Sequence, residues 1–270
     1  MIRTVGLILN PKNREAVRCS ELAAAFLRKN HIAAVNPQTQ EPDAEPDLIV
    51  SFGGDGTLLT GAGYAVRYDI PLIGINLGTV GFLTEEVPEK LEEALKAIIE
   101  GQYQIEARSL LRVRQLKSGK EYCALNDTVV TRGGYARLIR VDALVNGKEY
   151  GAFTADGLIV ATPTGSTGYS LSAGGPIVEP GMSCMIITPV CAHSMQHCPC
   201  VVSDQSEIRL ILNPDREQTA ELQIDGKSRG MLTSGDEIVI TGTDRKVKLI
   251  RLHSYDFFGL VRRKLVEWGS

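Results

Sequence analysis

Apolar and polar residues follow two different patterns along the chain, and the change falls near Gln102. Before it, short apolar runs that suit buried strands (TVGLILN, HIAAVN, DLIVSF, PLIGINL) alternate with stretches that carry apolar residues at helical spacing. Residues 14–29, REAVRCSELAAAFLRK, predict a helix with Leu22, Ala23 and Phe26 on its buried face. A second helix follows DLIVSF, in LLTGAGYAVR, and a third is VPEKLEEALKAIIEG, with Pro near its start and Gly at its end. QTQEPDAEPD is polar and Pro-rich, so it predicts a loop. Strands separated by helices predict a parallel α/β sheet.

From Gln102 to about Leu252 the chain turns to short runs rich in Val, Ile and Thr, broken by Gly, Asn and Asp. The runs are LLRVRQL, ALNDTVVT, IRVDALV, DGLIVATP, SEIRLIL, TAELQID, DEIVITG and VKLIRL, with NGKE as a hairpin turn. That texture predicts a β-rich domain of sandwich type. The tail YDFFGLVRRKLVEWG has helical spacing and is expected to fold back onto another part of the molecule. The expected division is therefore 1–101 (α/β), 102–252 (β-rich) and 253–270 (final helix).

With 270 residues, 43% hydrophobic and 23% charged, the chain has ample material for a globular core. A net charge of −3 offers no field for a polyanion, so no nucleic-acid partner is expected. The start, MIRTVGLILNPKN, has too short an apolar run for a signal peptide, and no run is long enough for a membrane span. These points predict a cytoplasmic protein with no membrane partner. Six cysteines without a leader read as free thiols. Cys19 and Cys123 read as core residues, and His31 and His253 as surface or sheet residues. Cys191, His193, His197, Cys198 and Cys200 crowd together, but the C-x-H-x3-H-C-x-C spacing matches no structural zinc pattern.

The sharpest motif is Gly53-Gly54-Asp55-Gly56-Thr57, after a strand and before a helix. Ligands of open parallel sheets collect at the carboxyl ends of strands. Glycines there let the backbone approach phosphates, and a helix start offers N–H donors. A carboxylate among phosphates would repel them, so Asp55 suits holding a metal or orienting a hydroxyl that attacks phosphorus. The bland alternative is a Gly-rich turn with Asp55 as a helix cap. Neither a P-loop motif nor a G-x-G-x-x-G after a strand is present.

Residues 156–178, DGLIVATPTGSTGYSLSAGGPIV, carry a dense run of hydroxyls at Thr162, Thr164, Ser166, Thr167, Tyr169, Ser170 and Ser172. Such a run supplies donors without charge, and Tyr169 adds a stackable ring, both suited to a ribose and an amide-bearing ring. Asp156 at the strand head can accept from ribose hydroxyls or an amide. The alternative is a turn-rich β connection. Asn126-Asp127 is a polar pair inside the apolar ALNDTVV, and a ribose diol would satisfy it; otherwise it marks an edge turn or bulge.

GGDGT, then an N-[DE] pair, then DG-x4-TPTGST-x-Y-x2-S-x-GGP resembles the motif set of the NAD kinase family, in order and spacing, from Val5 to the C-terminal helix. GGDGT alone also resembles diacylglycerol and sphingosine kinases; Asp156–Pro176 makes the resemblance specific. It implies an N-terminal Rossmann-like α/β domain, a C-terminal β-sandwich domain and a last helix returning to the first domain. It implies phosphorylation of the 2′-hydroxyl of the adenosine ribose of NAD, from ATP or, in some members, inorganic polyphosphate, with Mg²⁺ carried by the donor phosphates rather than by the protein. It also implies a homodimer or homotetramer.

Residue roles follow from the same resemblance. Asp55 matches the catalytic carboxylate, and Gly53, Gly54, Gly56 and Thr57 the phosphate cradle. Asn126 and Asp127 match the pair holding adenosine or ribose, and Phe82 an aromatic near the adenine. Asp156, Thr164, Thr167, Gly168, Tyr169, Ser170, Leu171 and Ser172 match the lining of the NAD pocket. Gly56, Arg137, Thr154 and Lys227 match further ligand contacts. The chain departs from the family at Asp127 (usually Glu), Gly168 (usually Ala) and Cys198 (usually Arg). A free aspartate carboxyl, with a pKa of about 3.9, is a weak base at neutral pH, so orienting the hydroxyl outweighs removing its proton. The competing readings are a lipid or sphingoid alcohol kinase and a non-catalytic NAD-binding regulator.

Overall fold

The computed structural model describes residues 2–39, 44–78, 81–133, 137–192 and 198–269, with backbone alone at 267–269. The chain divides into two compact units, Met1–Ala107 with Val247–Ser270, and Arg108–Lys246.

The first unit contains β1 (Thr4–Leu9), α1 (Arg14–Lys29), β2 (Ala33–Val35), β3 (Leu48–Phe52), α2 (Asp55–Tyr68), β4 (Pro71–Ile75) and α3 (Leu91–Ile99). The strands pair in the order β2-β1-β3-β4, all parallel. β1 and β3 are buried along their whole length, as strands covered on both faces must be. Helix α1 starts at Asn13, whose side chain accepts the N–H groups of Glu15 and Ala16. Its bounds are those the spacing predicts, but of the expected inward residues only Ala23 is buried. Ala16, Cys19, Ala23 and Leu27 are buried, whereas Leu22 is 49% exposed and Phe26 only half-buried. The i, i+3, i+7, i+11 row of small residues with one Leu lets the helix lie close, and the bulkier pair is left at the side.

The second unit is built from β5 (Gln104–Gln115), β6 (Glu121–Ala124), β7 (Asp127–Arg132), β8 (Ile139–Val145), β9 (Lys148–Ala155), β10 (Gly157–Ala161), the short helix α4 (Tyr169–Ser172), β11 (Cys184–Val190), β12 (Cys200–Ser203), β13 (Glu207–Leu212), β14 (Thr219–Ile224), β15 (Lys227–Thr233) and β16 (Glu237–Arg251). One sheet runs β12-β11-β10-β7-β14-β15, and the other holds β6-β5-β16-β13-β8-β9. Their inner faces share one core, with Val141 and Phe153 from the second and Val160 and Met185 from the first, the sandwich expected from the alternating pattern. Asn146 and Gly147, both at positive φ, turn β8 into β9 at NGKE. Two expected strands, DEIVITG and VKLIRL, are one: β16 continues through the polar residues between them, which stay extended with Asp244 and Arg245 exposed. Cys123, expected in the core, is exposed on β6, which pairs with β5.

The end of β16 returns to the first unit, where Lys248 and Leu249 pair in parallel with Pro71 and Leu72. The final helix α5 (Phe257–Gly269) belongs to the same unit. Among the described residues no helix is long and apolar enough to cross a membrane.

Candidate active site

In the first unit, β3 ends at Phe52 and the chain turns through Gly53 at φ +155, beside which the Thr57 side chain sits. A side chain at Gly53 would both strain that backbone and strike Thr57. Gly54 is the N-cap of α2, with no side chain capping it, and Asp55 is the first helical residue. The carboxylate of Asp55 bends toward the segment after β4. Its Oδ2 accepts the N–H of Phe82 at 2.9 Å and its Oδ1 that of Leu83 at 3.2 Å. Asp55 therefore anchors to a second loop instead of capping its own helix. A Cβ on Gly81 would overlap the same carboxylate, so that position too is reserved by Asp55. Leu9, Asn10, Gln38, Gly54, Gly56, Thr57 and Thr60 line a hollow of about 550 Å³ at the start of α2. Thr79 and Val80 lie outside the described residues.

In the second unit, Asn126 and Asp127 stand at the bend from β6 to β7, not within one strand. The cause is Asp225, which sequence reasoning passed over. Asp225 and Gly226, both at positive φ, form the tight turn from β14 to β15. The Asp225 carboxylate accepts the N–H groups of Leu125, Asn126 and Asp127 at 2.9, 2.7 and 3.2 Å. The Asp-Gly pair between two apolar runs signalled the turn; nothing local signalled the carboxylate's target. Asp127 is 6% exposed, and burial, then the charge of Asp225, pushes its carboxyl up to about 7. The Oδ1 of Asn126 is buried without a hydrogen-bond partner, an acceptor left for something else to fill. Lys227 is exposed, just past the turn, and its charge acts on Asp225.

Asp156 lies at the other end of the β7–β10 pairing, since Ala161 faces Asp127 while Gly157 faces Thr131. Five residue steps of strand separate the two positions, roughly 17 Å. Arg132 holds Asp156, Nε to Oδ1 at 3.1 Å. Tyr169 is 45% exposed, and its phenol is pushed up by burial, then by the charges of Cys191, Asp156 and Asp127. Residues Thr164–Ser172 coil into a 3-10 turn and α4. Several hydroxyls of residues 162–172 serve the fold. Thr162 donates to the Leu125 carbonyl, Ser166 bonds both backbone groups of Val178, Ser170 bonds Thr188, and Thr164 accepts from Arg108. Thr167, Gly168 and Leu171 are half-buried and Ser172 is exposed. Thr154 is half-buried on β9. Arg137 is exposed in a hollow of about 360 Å³ with Ile139, Arg216 and Gln218, beyond the opposite end of β7 from Asn126.

Residues 38–103 match the ATP-NAD kinase N-terminal domain, and residues 125–252 the ATP-NAD kinase C-terminal domain. The chain belongs to the NAD kinase family. The NAD kinase of Heliobacterium modesticaldum is 37% identical over 98% of this chain and 99% of its own length. That of a Geobacter species is 40% identical over 90% of this chain and 85% of its own. Among solved structures, an NAD kinase from Archaeoglobus fulgidus in complex with ATP is 30% identical, with a TM-score of 0.77 over 97% of this chain and 98% of its own. Yeast NADH kinase complexed with NADH shares the fold at a TM-score of 0.87, over 100% of this chain and 89% of its own.

Among the described residues no group of three His, Cys, Asp or Glu side chains is placed to hold a metal ion. His193 and His197 lie outside the described residues, so the Cys/His cluster cannot be assembled around them. All six cysteines are free thiols, with Cys191 and Cys198 exposed.

Proposed function

We propose that the chain phosphorylates the 2′-hydroxyl of the adenosine ribose of NAD, using ATP, to give NADP. The observation that carries this reading is the Asp55 carboxylate, tethered by two backbone N–H groups at the helix start in a chain of the NAD kinase family. Phosphoryl transfer is chiefly positioning and neutralisation of spread charge. A carboxylate has about four acceptor directions, and the two taken by Phe82 and Leu83 leave room for a hydroxyl proton. Asp55 is then an orienting acceptor that takes the proton late.

Gly53, Gly54, Gly56 and Thr57 cradle the donor phosphates at the α2 start, where the helix dipole favours negative charge. A Mg²⁺ ion carried by those phosphates would add neutralisation of their charge, with Gly53, Gly54, Gly56 and Thr57 holding the phosphates rather than the ion. Asn126 and Asp127 bind the adenosine side through the free Asn126 Oδ1. Asp156 and Tyr169, with Thr154, Thr164, Thr167, Gly168, Ser170, Leu171 and Ser172, line the rest of an extended dinucleotide. Phe82, Arg137 and Lys227 are outlying contacts. Donor chemistry thus falls to the first unit and dinucleotide recognition to the second. We also assign the chain to the cytoplasm as a homodimer or homotetramer, with inorganic polyphosphate as an alternative donor.

The test is NADP formation from NAD, ATP and Mg²⁺, read by an NADP-specific dehydrogenase, with Asp55→Asn alongside. NADP from wild type and at least a hundredfold lower kcat in the variant is the expected result. A wild type that makes no NADP from ATP or polyphosphate overturns the activity; an Asp55→Asn variant with unchanged kcat overturns the role of Asp55.

A further inference from the structure

The backbone that holds Asp55 is itself held from behind. Phe82 and Leu83 give their N–H groups to the Asp55 carboxylate. The carbonyl of Phe82 accepts the hydroxyl of Tyr255 at 3.3 Å, and the carbonyl of Leu83 accepts Nη1 of Arg251 at 3.4 Å. The Phe82–Leu83 peptide is thus clamped at both ends, and the Tyr255 hydroxyl on its carbonyl polarises the Leu83 N–H toward the carboxylate. Arg251 holds the carbonyl of the next peptide, Leu83–Thr84, and so fixes Leu83 from its other side.

Arg251 has little freedom to move. Its Nη1 meets Glu85 Oε2 and its Nε meets Glu106 Oε2, both at 2.7 Å, with Arg251 4% and Glu85 7% exposed. Its guanidinium carbon lies 4.3 Å from the centre of the Tyr255 ring. Glu85 uses its other oxygen to accept the N–H groups of Leu252 and His253, at 2.8 and 3.1 Å. Burying such ions brings little net stability over apolar packing, but it fixes geometry tightly.

We infer that Arg251 and Tyr255 are positioning residues for phosphoryl transfer, setting the aim of Asp55 through the backbone on either side of Leu83. The inference rests on Asp55 as the orienting carboxylate. It gives the end of β16 and the residues leading into α5 a part in the chemistry, although neither supplies an atom to it.

The experiment measures kcat, KM for NAD and Tm for Tyr255→Phe and Arg251→Lys, with Asp55→Asn and the Asp55→Asn/Tyr255→Phe double variant alongside. Tyr255→Phe keeps the ring on Arg251 and removes one hydrogen bond, so kcat should fall about two- to tenfold. KM for NAD should stay within about twofold and Tm nearly unchanged. Arg251→Lys keeps the charge and loses the fork, and kcat should fall about tenfold or more. In the Asp55→Asn background, Tyr255→Phe should lower kcat no further, because what it aims is gone. Unchanged kcat in Tyr255→Phe overturns the inference even if Arg251→Lys fails to fold. So does a loss seen only in KM or Tm, or an equal further loss in the double variant. Full activity in Asp55→Asn would instead sink the reading of Asp55 on which the inference stands.

Discussion

Asp225 takes the N–H of Asn126 at 2.7 Å, and the N–H of Asp225 returns to the carbonyl of Asp127 at 3.0 Å. A turn between two strands thereby shapes a bend a hundred residues earlier in the chain. It aims the Asn126-Asp127 pair and presses a second carboxylate close to Asp127, which burial has already made hard to ionise.

That pressure has a signature in stability. The Asp127 carboxyl is raised from 3.8 to about 7 in the folded chain. A group that binds its proton more tightly when folded stabilises the fold at low pH, and the contribution is lost as pH rises through that interval. Urea unfolding of wild type and Asp127→Asn at a series of pH values from about 4 to 8 isolates it. Wild-type stability relative to the variant should fall as pH rises, by on the order of 2–4 kcal/mol. A difference that is flat with pH would show that Asp127 ionises as easily folded as unfolded.

Gly165 and Gly168 flank the same bend and should respond differently to a methyl group. A Cβ on Gly165 would overlap the backbone carbonyl of Asn126, which cannot yield without moving the pair. A Cβ on Gly168 would meet nothing nearer than the Gly165 carbonyl at 3.3 Å and Asn126 Nδ2 at 3.7 Å. Gly165→Ala should lower Tm and weaken NAD binding at least about tenfold, a loss of roughly 1.4 kcal/mol. Gly168→Ala, which installs the residue usual in the family, should stay within about 1 kcal/mol in stability and about threefold in affinity. Titration calorimetry with NAD reads both, and equal losses would refute the steric argument.

Helix α1 offers a plain test of packing. Leu27 is 1% exposed within the first unit's core, and Leu22 is 49% exposed. Leu27→Ala should cost about 2–5 kcal/mol and Leu22→Ala under about 1. Similar costs in denaturant melts would restore the face that hydrophobicity alone suggests.

What the residue pattern revealed, and what it hid, divides along local and non-local physics. Period-3.6 and period-2 patterns located α1, β1, β3 and the sandwich strands, because each is a local response to one buried side. GGDGT was legible at the end of β3 because strand, glycines and helix start are contiguous. The inward row of α1 was missed because small residues can out-compete large ones where a helix must approach a sheet closely. β16 was read as two strands because Asp244 and Arg245 look like a break, although an exposed face costs a strand nothing. Asp225, Gly81, Arg251 and Tyr255 were missed for one reason: their partners are far away in sequence, and no spacing rule spans that distance. The hydroxyl run at 162–172 was noticed for its chemistry, but Ser166 and Ser170 spend theirs inside the fold.

Gly81 gives the sharpest check on how tightly Asp55 is held. A Cβ at Gly81 would lie within the volume of the Asp55 carboxylate. The nearest obstacle is that carboxylate, whose three atoms lie closest to the added carbon. Gly81→Ala must push the carboxylate off the Phe82 and Leu83 N–H groups or push those peptides away. If Asp55 orients the attacking hydroxyl, kcat should drop by about tenfold to a hundredfold, since a displacement near 1 Å is enough for that. In Asp55→Gly the space is open, so adding Gly81→Ala there should leave Tm at that of Asp55→Gly alone while activity stays low. A Gly81→Ala enzyme with wild-type kcat would mean that the carboxylate can leave its tether and still do its work.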